Sequence, residues 1–177
     1  MRKNKLAVTL VVAATLLAGC NPTYNWRDYS SPDAPYRVMF PAKPASHTRS
    51  VDLNGVKVEM TMTAAEVEGV MFAVGTGVAE DAAGAQAAVD AMKTAMLRNI
   101  GATVQRESAS AASSGDPASA RKSIDIDATG TGNGGPMQLT GHFESRGKRF
   151  YQVIVLGKAK AVPPEQSEQF MKSFALL

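Results

Sequence analysis

The chain is 177 residues long, with 19 Lys and Arg against 16 Asp and Glu and a formal net charge of +3. One Cys excludes an internal disulfide, and two His with one Cys fall short of the four ligands of a structural zinc site. The length is sufficient to bury one hydrophobic core, so we expect apolar packing to stabilise the fold.

The N-terminal residues have the parts of a secretory signal peptide. The first five residues include three positive charges, residues 6–18 are uncharged and mostly apolar, and small residues precede Cys20. The apolar stretch is shorter than the ~20 residues that a membrane-spanning helix needs. We therefore predict that residues 1–19 are a cleaved leader rather than a buried helix.

The sequence Leu-Ala-Gly-Cys at residues 17–20 resembles the lipobox of bacterial lipoproteins. The resemblance implies that the Cys20 sulfur carries diacylglycerol, that cleavage precedes Cys20, and that the new amine is acylated, as with palmitate. Two acyl chains give a stable membrane anchor. In enteric-type sorting an Asp after the Cys favours the inner membrane, so Asn21 implies the periplasmic face of the outer membrane. The alternative is an ordinary cleavage site.

The leader carries the whole excess of positive charge. Its removal takes away three of the 19 basic residues and none of the acids, which leaves 16 against 16. A neutral mature chain gives no reason to expect nucleic acid as a partner. The partners that we expect are a membrane, bound through the lipidated Cys20, and an envelope protein.

Residues 20–35 are expected to be the lipidated Cys and a tether, because Pro, Ser, Asn and Asp are frequent after Cys20. Fully extended, 15 such residues would reach about 50 Å. Tyr24, Trp26 and Tyr29 are unusual in a spacer. Their rings could rest at the lipid interface or pack on the folded domain, and we favour packing.

The single domain expected over residues 36–177 begins with β patterns. Asn54-Gly55 is a strong hairpin signal, because both residues tolerate positive φ. Glu68-Gly69 is expected to be a second turn in the same meander. The predicted strands are residues 36–40, 47–53, 56–67 and 70–79.

A helix is predicted from Asp81 to about Ile100, with Gly101 as its stop. Its apolar stripe consists of Val89, Met92, Met96 and Ile100. We interpret the methionines as core filler rather than as a soft-metal or haem site.

The C-terminal half is predicted to add more strands and a last helix. We expect a strand at 103–106, a polar loop at 107–120, a strand at 121–127, a flexible Gly-rich connection at 128–136, two strands around Arg146-Gly147, and a helix from Pro163-Pro164. The strand after Arg146-Gly147 is the more apolar of its pair, which predicts a central position. Grouped strands with inserted helices indicate an α+β fold with an antiparallel sheet.

The order of three motifs resembles the PsbP-like α/β/α sandwich. The motifs are Phe-Pro-Ala-Lys-Pro at 40–44, the strand RFYQVIVLG at 149–157, and FMKSF at 170–174. This fold occurs in photosystem extrinsic subunits and in many bacterial envelope proteins. The resemblance covers residues 36–177 and implies a docking or assembly role, but it provides no shared active site.

Few residues suggest chemistry. His47 and His142 lie on predicted strands without a nearby acid-and-nucleophile pattern, so we expect satisfied or exposed strand residues. Residues 125–136 match the first half of a calcium loop, but Pro136 stands where a bidentate Glu is needed. We therefore expect Asp125 and Asp127 on the solvent-exposed face of a strand, with a weak cation site as the alternative.

Two further features have alternative interpretations. The glycines at 130–135 could suggest a phosphate cradle, but no Lys-Ser/Thr and no helix follow, which favours a hairpin loop. Arg146, Lys148 and Arg149 could contact anionic headgroups, although a solvated turn is the more usual interpretation of such a cluster.

The sequence therefore supplies one candidate site residue, Cys20 for lipidation, and no catalytic, cofactor or metal residues. We expect a lipid-anchored envelope protein that acts as a periplasmic binding or assembly module rather than as an enzyme. The alternative is an envelope hydrolase or a small-ligand carrier. A cleft that gathers His142 and Asp125 or Asp127 with a Ser would favour the hydrolase, whereas a flat sheet face with an exposed apolar patch would favour docking.

Overall fold

The computed structural model describes residues 22–112, 115–132 and 134–177; the predicted leader and Cys20 lie outside them. Within these ranges the chain forms two antiparallel sheets and two helices, which confirms an α+β fold. The elements are β1 (Arg27–Ser30), β2 (Tyr36–Phe40), β3 (Ala45–Leu53), β4 (Val56–Val67), β5 (Val70–Val78), α1 (Ala82–Asn99), β6 (Thr103–Ala112), a short 3-10 helix (Pro117–Ser119), β7 (Arg121–Gly132), β8 (Gly135–Arg146), β9 (Arg149–Lys158), α2 (Pro164–Ser173) and β10 (Ala175–Leu176).

The larger sheet has seven strands in the order β3-β4-β5-β9-β8-β7-β6. Strand β9 lies between β5 and β8, as its apolar sequence predicts, and its side chains are buried on both faces. The Asn54-Gly55 and Glu68-Gly69 turns have the expected positive φ angles, so the predicted meander is confirmed.

The smaller sheet, β1-β2-β10, lies with α2 on one face of the larger sheet, which we call the α2 face. Aromatic rings form its core: Phe170 packs on Phe40 at 5.5 Å and on Phe72 at 5.4 Å between ring centroids. These elements cover β4, β5 and β9. Burial of such large rings stabilises a chain that has no disulfide.

Helix α1 covers the opposite face of the larger sheet, the α1 face, where it packs on β7, β8 and β9. The Asp81 carboxylate accepts a hydrogen bond from the Gly84 N–H at 2.7 Å and caps the helix. Val89 and Met92 are buried, in agreement with the predicted core stripe. Gly101 follows the helix with φ of +55°.

Two predicted loops are strands instead. Residues 107–112 continue β6, and residues 128–132 continue β7. The two strands pair from Thr103 opposite Thr129 to Ala112 opposite Arg121. Ser, Ala and Gly have weak β propensity, but cross-strand backbone hydrogen bonds outweigh it here.

The segment expected to be a tether also differs from the prediction. Residues 27–30 form β1, which pairs with β2. Tyr24 and Trp26 pack on Phe72, each with ring centroids 6.5 Å away, and Tyr29 packs on Phe40. The favoured interpretation, in which these rings pack on the domain, is confirmed.

Candidate functional site

One half of the α2 face is left open by the layers above it. The small sheet and α2 cover β4, β5 and β9, whereas polar side chains of β6, β7 and β8 face solvent. A cleft of about 430 Å³ lies where this open half meets the end of α2. It is lined by Arg121, Asp125, His142, Glu144 and Arg146 from the sheet and by Met171, Lys172, Phe174 and Leu176 from the C-terminal segment.

His142 lies at the centre of the cleft, between two carboxylates. Its Nδ1 is 2.7 Å from Asp125 Oδ1, and its Nε2 is 3.2 Å from Glu144 Oε2. Strand register explains the geometry: Asp125 lies directly opposite His142, and Glu144 is two residues further along β8 on the same face. The His142 ring also lies 6.1 Å from the Phe174 ring, between centroids.

The charges in this cluster stabilise one another. Burial alone would lower the pKa of His142, but hydrogen bonds to Glu144 and Asp125 outweigh burial and raise it above the ordinary 6.5. Burial would likewise raise the pKa of Glu144, yet the hydrogen bonds and charges of His142 and Arg121 lower it below 4.5. Arg121 is 3.3 Å from the Glu144 carboxylate. The arrangement therefore favours a protonated imidazole beside the ionised Glu144 carboxylate.

Asp127 extends the polar surface toward β6. Its carboxylate forms an ion pair with Arg106 and accepts a hydrogen bond from the Thr140 hydroxyl at 3.0 Å. As expected, Asp125 and Asp127 share one face of β7 while Ile124 and Ile126 are buried on the other. No group of three His, Cys, Asp or Glu in the described ranges is arranged to hold a metal ion.

The geometry bears on the enzyme alternative. A catalytic triad needs a hydroxyl or thiol at the imidazole nitrogen that the orienting acid leaves free. In this cleft Nε2 of His142 meets the Glu144 carboxylate instead. Ser123, on the same face, pairs its hydroxyl with Ser110 at 2.9 Å. The cluster is thus arranged to hold charge rather than to activate a nucleophile.

Sequence reasoning singled out His142, Asp125 and Asp127, but it missed Glu144 and Arg121 as their partners. The available signal was the period of two, which places residues 121, 125 and 127 on one face of β7 and residues 142, 144 and 146 on one face of β8. A hairpin between these strands is expected from the sequence, but the register that sets Asp125 opposite His142 is not, because the connection is expected to span residues 128–136.

The remaining candidates lie elsewhere or outside the structure. His47 is exposed on the edge strand β3, opposite Met62, and takes no part in the cleft. Cys20, the predicted lipidation site, lies outside the described residues. No helix in the described ranges combines the length and apolar character needed to cross a bilayer.

No protein-family model matches the chain, and no curated protein sequence matches it.

Proposed function

We propose that this chain is a lipid-anchored envelope protein, held through Cys20 on the periplasmic face of the outer membrane, and that it acts as a binding or assembly module. The leader pattern and the Leu-Ala-Gly-Cys sequence support the anchor. The partner is an envelope component that contacts the cleft beside α2.

A PsbP-like domain is part of this proposal. Helices on both faces of an antiparallel sheet support it, since α1 lies on one face and α2 on the other. The order of the Phe-Pro-x-Lys-Pro, RFYQVIVLG and FMKSF motifs supports it further.

One observation carries the binding role: the charge cluster of His142, Asp125, Glu144 and Arg121 on an uncovered half-sheet. Ion pairs placed on an open face cost desolvation when a partner covers them, so they select for complementary charge. The side chains on this open face are polar, so the apolar patch expected of a docking face does not occur there among the described residues. The proposed recognition is therefore through charge and hydrogen bonds.

A small-ligand carrier is the second candidate, because a cleft of about 430 Å³ falls within the size range of small-molecule sites. An envelope hydrolase has less support, since the His142 Nε2 faces a carboxylate.

Cross-linking in cells followed by recovery of the full chain from membranes tests the proposal. We expect Cys20→Ser to change the membrane fraction, and Arg146→Glu in the cleft to reduce recovery of the cross-linked partners. Arg49→Glu, an exposed arginine on the α1 face of β3, is the matched control and should recover the wild-type set. If all four proteins recover the same partners from the same fraction, the anchored binding role is wrong. A small molecule that copurifies with wild type but not with Arg146→Glu would favour the carrier.

A further inference from the structure

Three arginines form a row across neighbouring strands at one end of the larger sheet. Arg121 on β7 lies directly opposite Arg146 on β8, and Arg146 lies directly opposite Arg149 on β9. Directly opposite residues place their side chains on the same face. That face is the α2 face, because Arg149 lies on the same side of β9 as Tyr151 and Val153, which belong to the aromatic core.

The positive charge of the row is only partly balanced. Arg121 shares the Glu144 carboxylate with His142. Among the described residues, neither Arg146 nor Arg149 forms an ion pair. Like charges placed directly opposite each other destabilise a sheet, so a row of arginines without counter-ions lowers the free energy of unfolding.

The chemistry of the row fits an oxyanion. A guanidinium presents a planar fork of N–H donors that binds a carboxylate or a phosphate in a bidentate manner. Adjacent strands are about 4.8 Å apart, so neighbouring guanidiniums can converge on one such group. Phe174 and Leu176 form an apolar wall of the same cleft, beside Arg121 and Arg146.

We propose that Arg121 and Arg146 of this row bind a small organic oxyanion, a phosphate or carboxylate joined to an apolar group. Arg149 lines a separate pocket over β4 and β5 and takes no part in the site. The two cleft arginines bind the oxyanion, and Phe174 and Leu176 contact the apolar part. This inference rests on the proposed binding role of the cleft and names the ligand class for it.

Titration of the full chain in non-ionic detergent tests the site, with phenyl phosphate, inorganic phosphate and glycerophosphoglycerol, the soluble headgroup of phosphatidylglycerol, as separate probes. We expect saturable binding of phenyl phosphate, weaker binding of inorganic phosphate, and roughly tenfold weaker binding of phenyl phosphate by Arg146→Gln, since one charged hydrogen-bonding group is lost. Arg49→Gln should bind as wild type does.

Absence of saturable binding of phenyl phosphate would overturn the site, as would equal losses in Arg146→Gln and Arg49→Gln. Binding of glycerophosphoglycerol without binding of phenyl phosphate would assign the oxyanion to a lipid headgroup and overturn the small-molecule class. None of these outcomes changes the cross-linking result for Cys20→Ser, so failure here is distinguishable from failure of the anchored binding role.

A second inference follows from where the chain joins the domain. Tyr24 and Trp26 pack on Phe72, and the Asn25 N–H donates a hydrogen bond to the Pro41 carbonyl at 2.8 Å. Four Cα–Cα steps of 3.80 Å separate Cys20 from Tyr24, which limits their separation to about 15 Å. The connection between Cys20 and the packed residue Tyr24 therefore spans at most about 15 Å, rather than the roughly 50 Å expected for the tether.

Strand register places this attachment at one end of the larger sheet. Met71 pairs with Leu156, while Val78 pairs with Arg149, so the Glu68-Gly69 turn and the arginine row lie at opposite ends. Seven residues of β5 separate these two pairs, or about 24 Å. Phe72 lies near the Glu68-Gly69 end of the sheet. The pKa of Tyr24 is raised mainly by burial and also by the charge of Glu68, so Tyr24 lies near the same turn.

We infer that the Glu68-Gly69 end of the sheet faces the anchoring bilayer, with the partly exposed rings of Tyr24 and Trp26 in its headgroup region. Tyr and Trp favour this interface because their rings are amphipathic. The arginine row then faces the aqueous compartment. This inference rests on the proposed lipidation of Cys20.

Trp26 is the only tryptophan in the chain and serves as the probe. Once mass spectrometry has verified acylation, the protein is reconstituted into vesicles of phosphatidylethanolamine and phosphatidylglycerol that contain brominated lipid. We expect a loss of Trp26 emission, whereas the Trp26→Phe, Lys148→Trp double variant should keep its emission. Unquenched Trp26, or equal quenching at both positions, would overturn the orientation. A chain without acyl groups would overturn the anchor and the orientation together.

Discussion

His142 bridges two strands by charge, because its ring nitrogens contact Asp125 on β7 and Glu144 on β8. Its pKa is raised, so its ion pairs stabilise the fold fully below the ordinary value of 6.5, and this contribution is lost as pH rises through the folded-state pKa. The pKa of Glu144 is lowered, so its contribution is full above 4.5 and is lost as pH falls through the folded-state pKa. The cluster contributes most between these two ordinary values.

Replacing His142 with Gln should therefore have an effect that depends on pH. We expect a loss of about 1–2 kcal/mol in the free energy of unfolding near pH 5.5, where charged hydrogen bonds are removed, and a smaller loss near pH 8. Denaturant titration at the two pH values measures the difference. His47→Gln, on the exposed strand β3, is the control and should change neither value. An equal loss for His142→Gln at both pH values would contradict the charged state of the imidazole.

Ser145 presents the opposite situation, since its hydroxyl oxygen is buried and has no hydrogen-bond partner within the part of the chain that the structure describes. Burial of an unsatisfied hydroxyl costs free energy. Ser145→Ala should therefore raise the free energy of unfolding by about 1 kcal/mol, as measured by denaturant titration. Ser123→Ala, which removes a hydroxyl that is bonded to Ser110, should not stabilise the protein. Destabilisation by Ser145→Ala would contradict this assignment.

At the scale of elements, β7 depends on a glycine for its approach to the end of α1. A Cβ on Gly130 would collide with the Ile100 carbonyl oxygen and would lie 2.9 Å from the Ala102 Cα. Both obstacles are backbone atoms, so they cannot rotate away. The glycine-rich stretch is a strand that needs close contact, not a flexible connection.

Gly130→Ala should lower the free energy of unfolding by about 2 kcal/mol or more, because the α1 end and β7 must move apart. Gly132→Ala is the matched control. Its Cβ would meet only the Met137 side chain, at 3.0 Å from Cγ, which can rotate. We expect the control to cost less than about 1 kcal/mol in the same denaturant titration. Equal losses would show that close packing against α1 is not the reason for the glycine.

The elements that could be predicted are those with local signals. The Asn54-Gly55 turn, the α1 stripe and the apolar β9 were read from spacing and from turn chemistry. Strands β1 and β10 could not be predicted, because both are short. Strand β1 pairs with β2 across a polar turn, and β10 pairs with β2 from the other end of the domain. The end of β6 was missed because its Ser and Ala residues carry no β signal, and only the pairing with β7 extends it.

The cleft could not be predicted for the same reason at the scale of the whole molecule. Local alternation placed Asp125 and Asp127 on one wet face, but the partners of that face come from β8 and from the end of α2. The decisive contacts join Asp125 to His142 and Arg121 to Glu144. Both contacts lie within the β7–β8 hairpin, whose register could not be read because residues 128–136 were expected to form a flexible connection.

The small sheet also limits the order in which the chain can fold. Its middle strand, β2, comes early in the chain, whereas its third strand, β10, follows every other element. When the chain is synthesised from its N-terminus, one edge of β2 therefore stays unpaired until Ala175 and Leu176 have been added. Until α2 and β10 are present, the aromatic core over β5 and β9 lacks Phe170 and the small sheet lacks one strand, so this layer cannot be completed while only the preceding elements have folded.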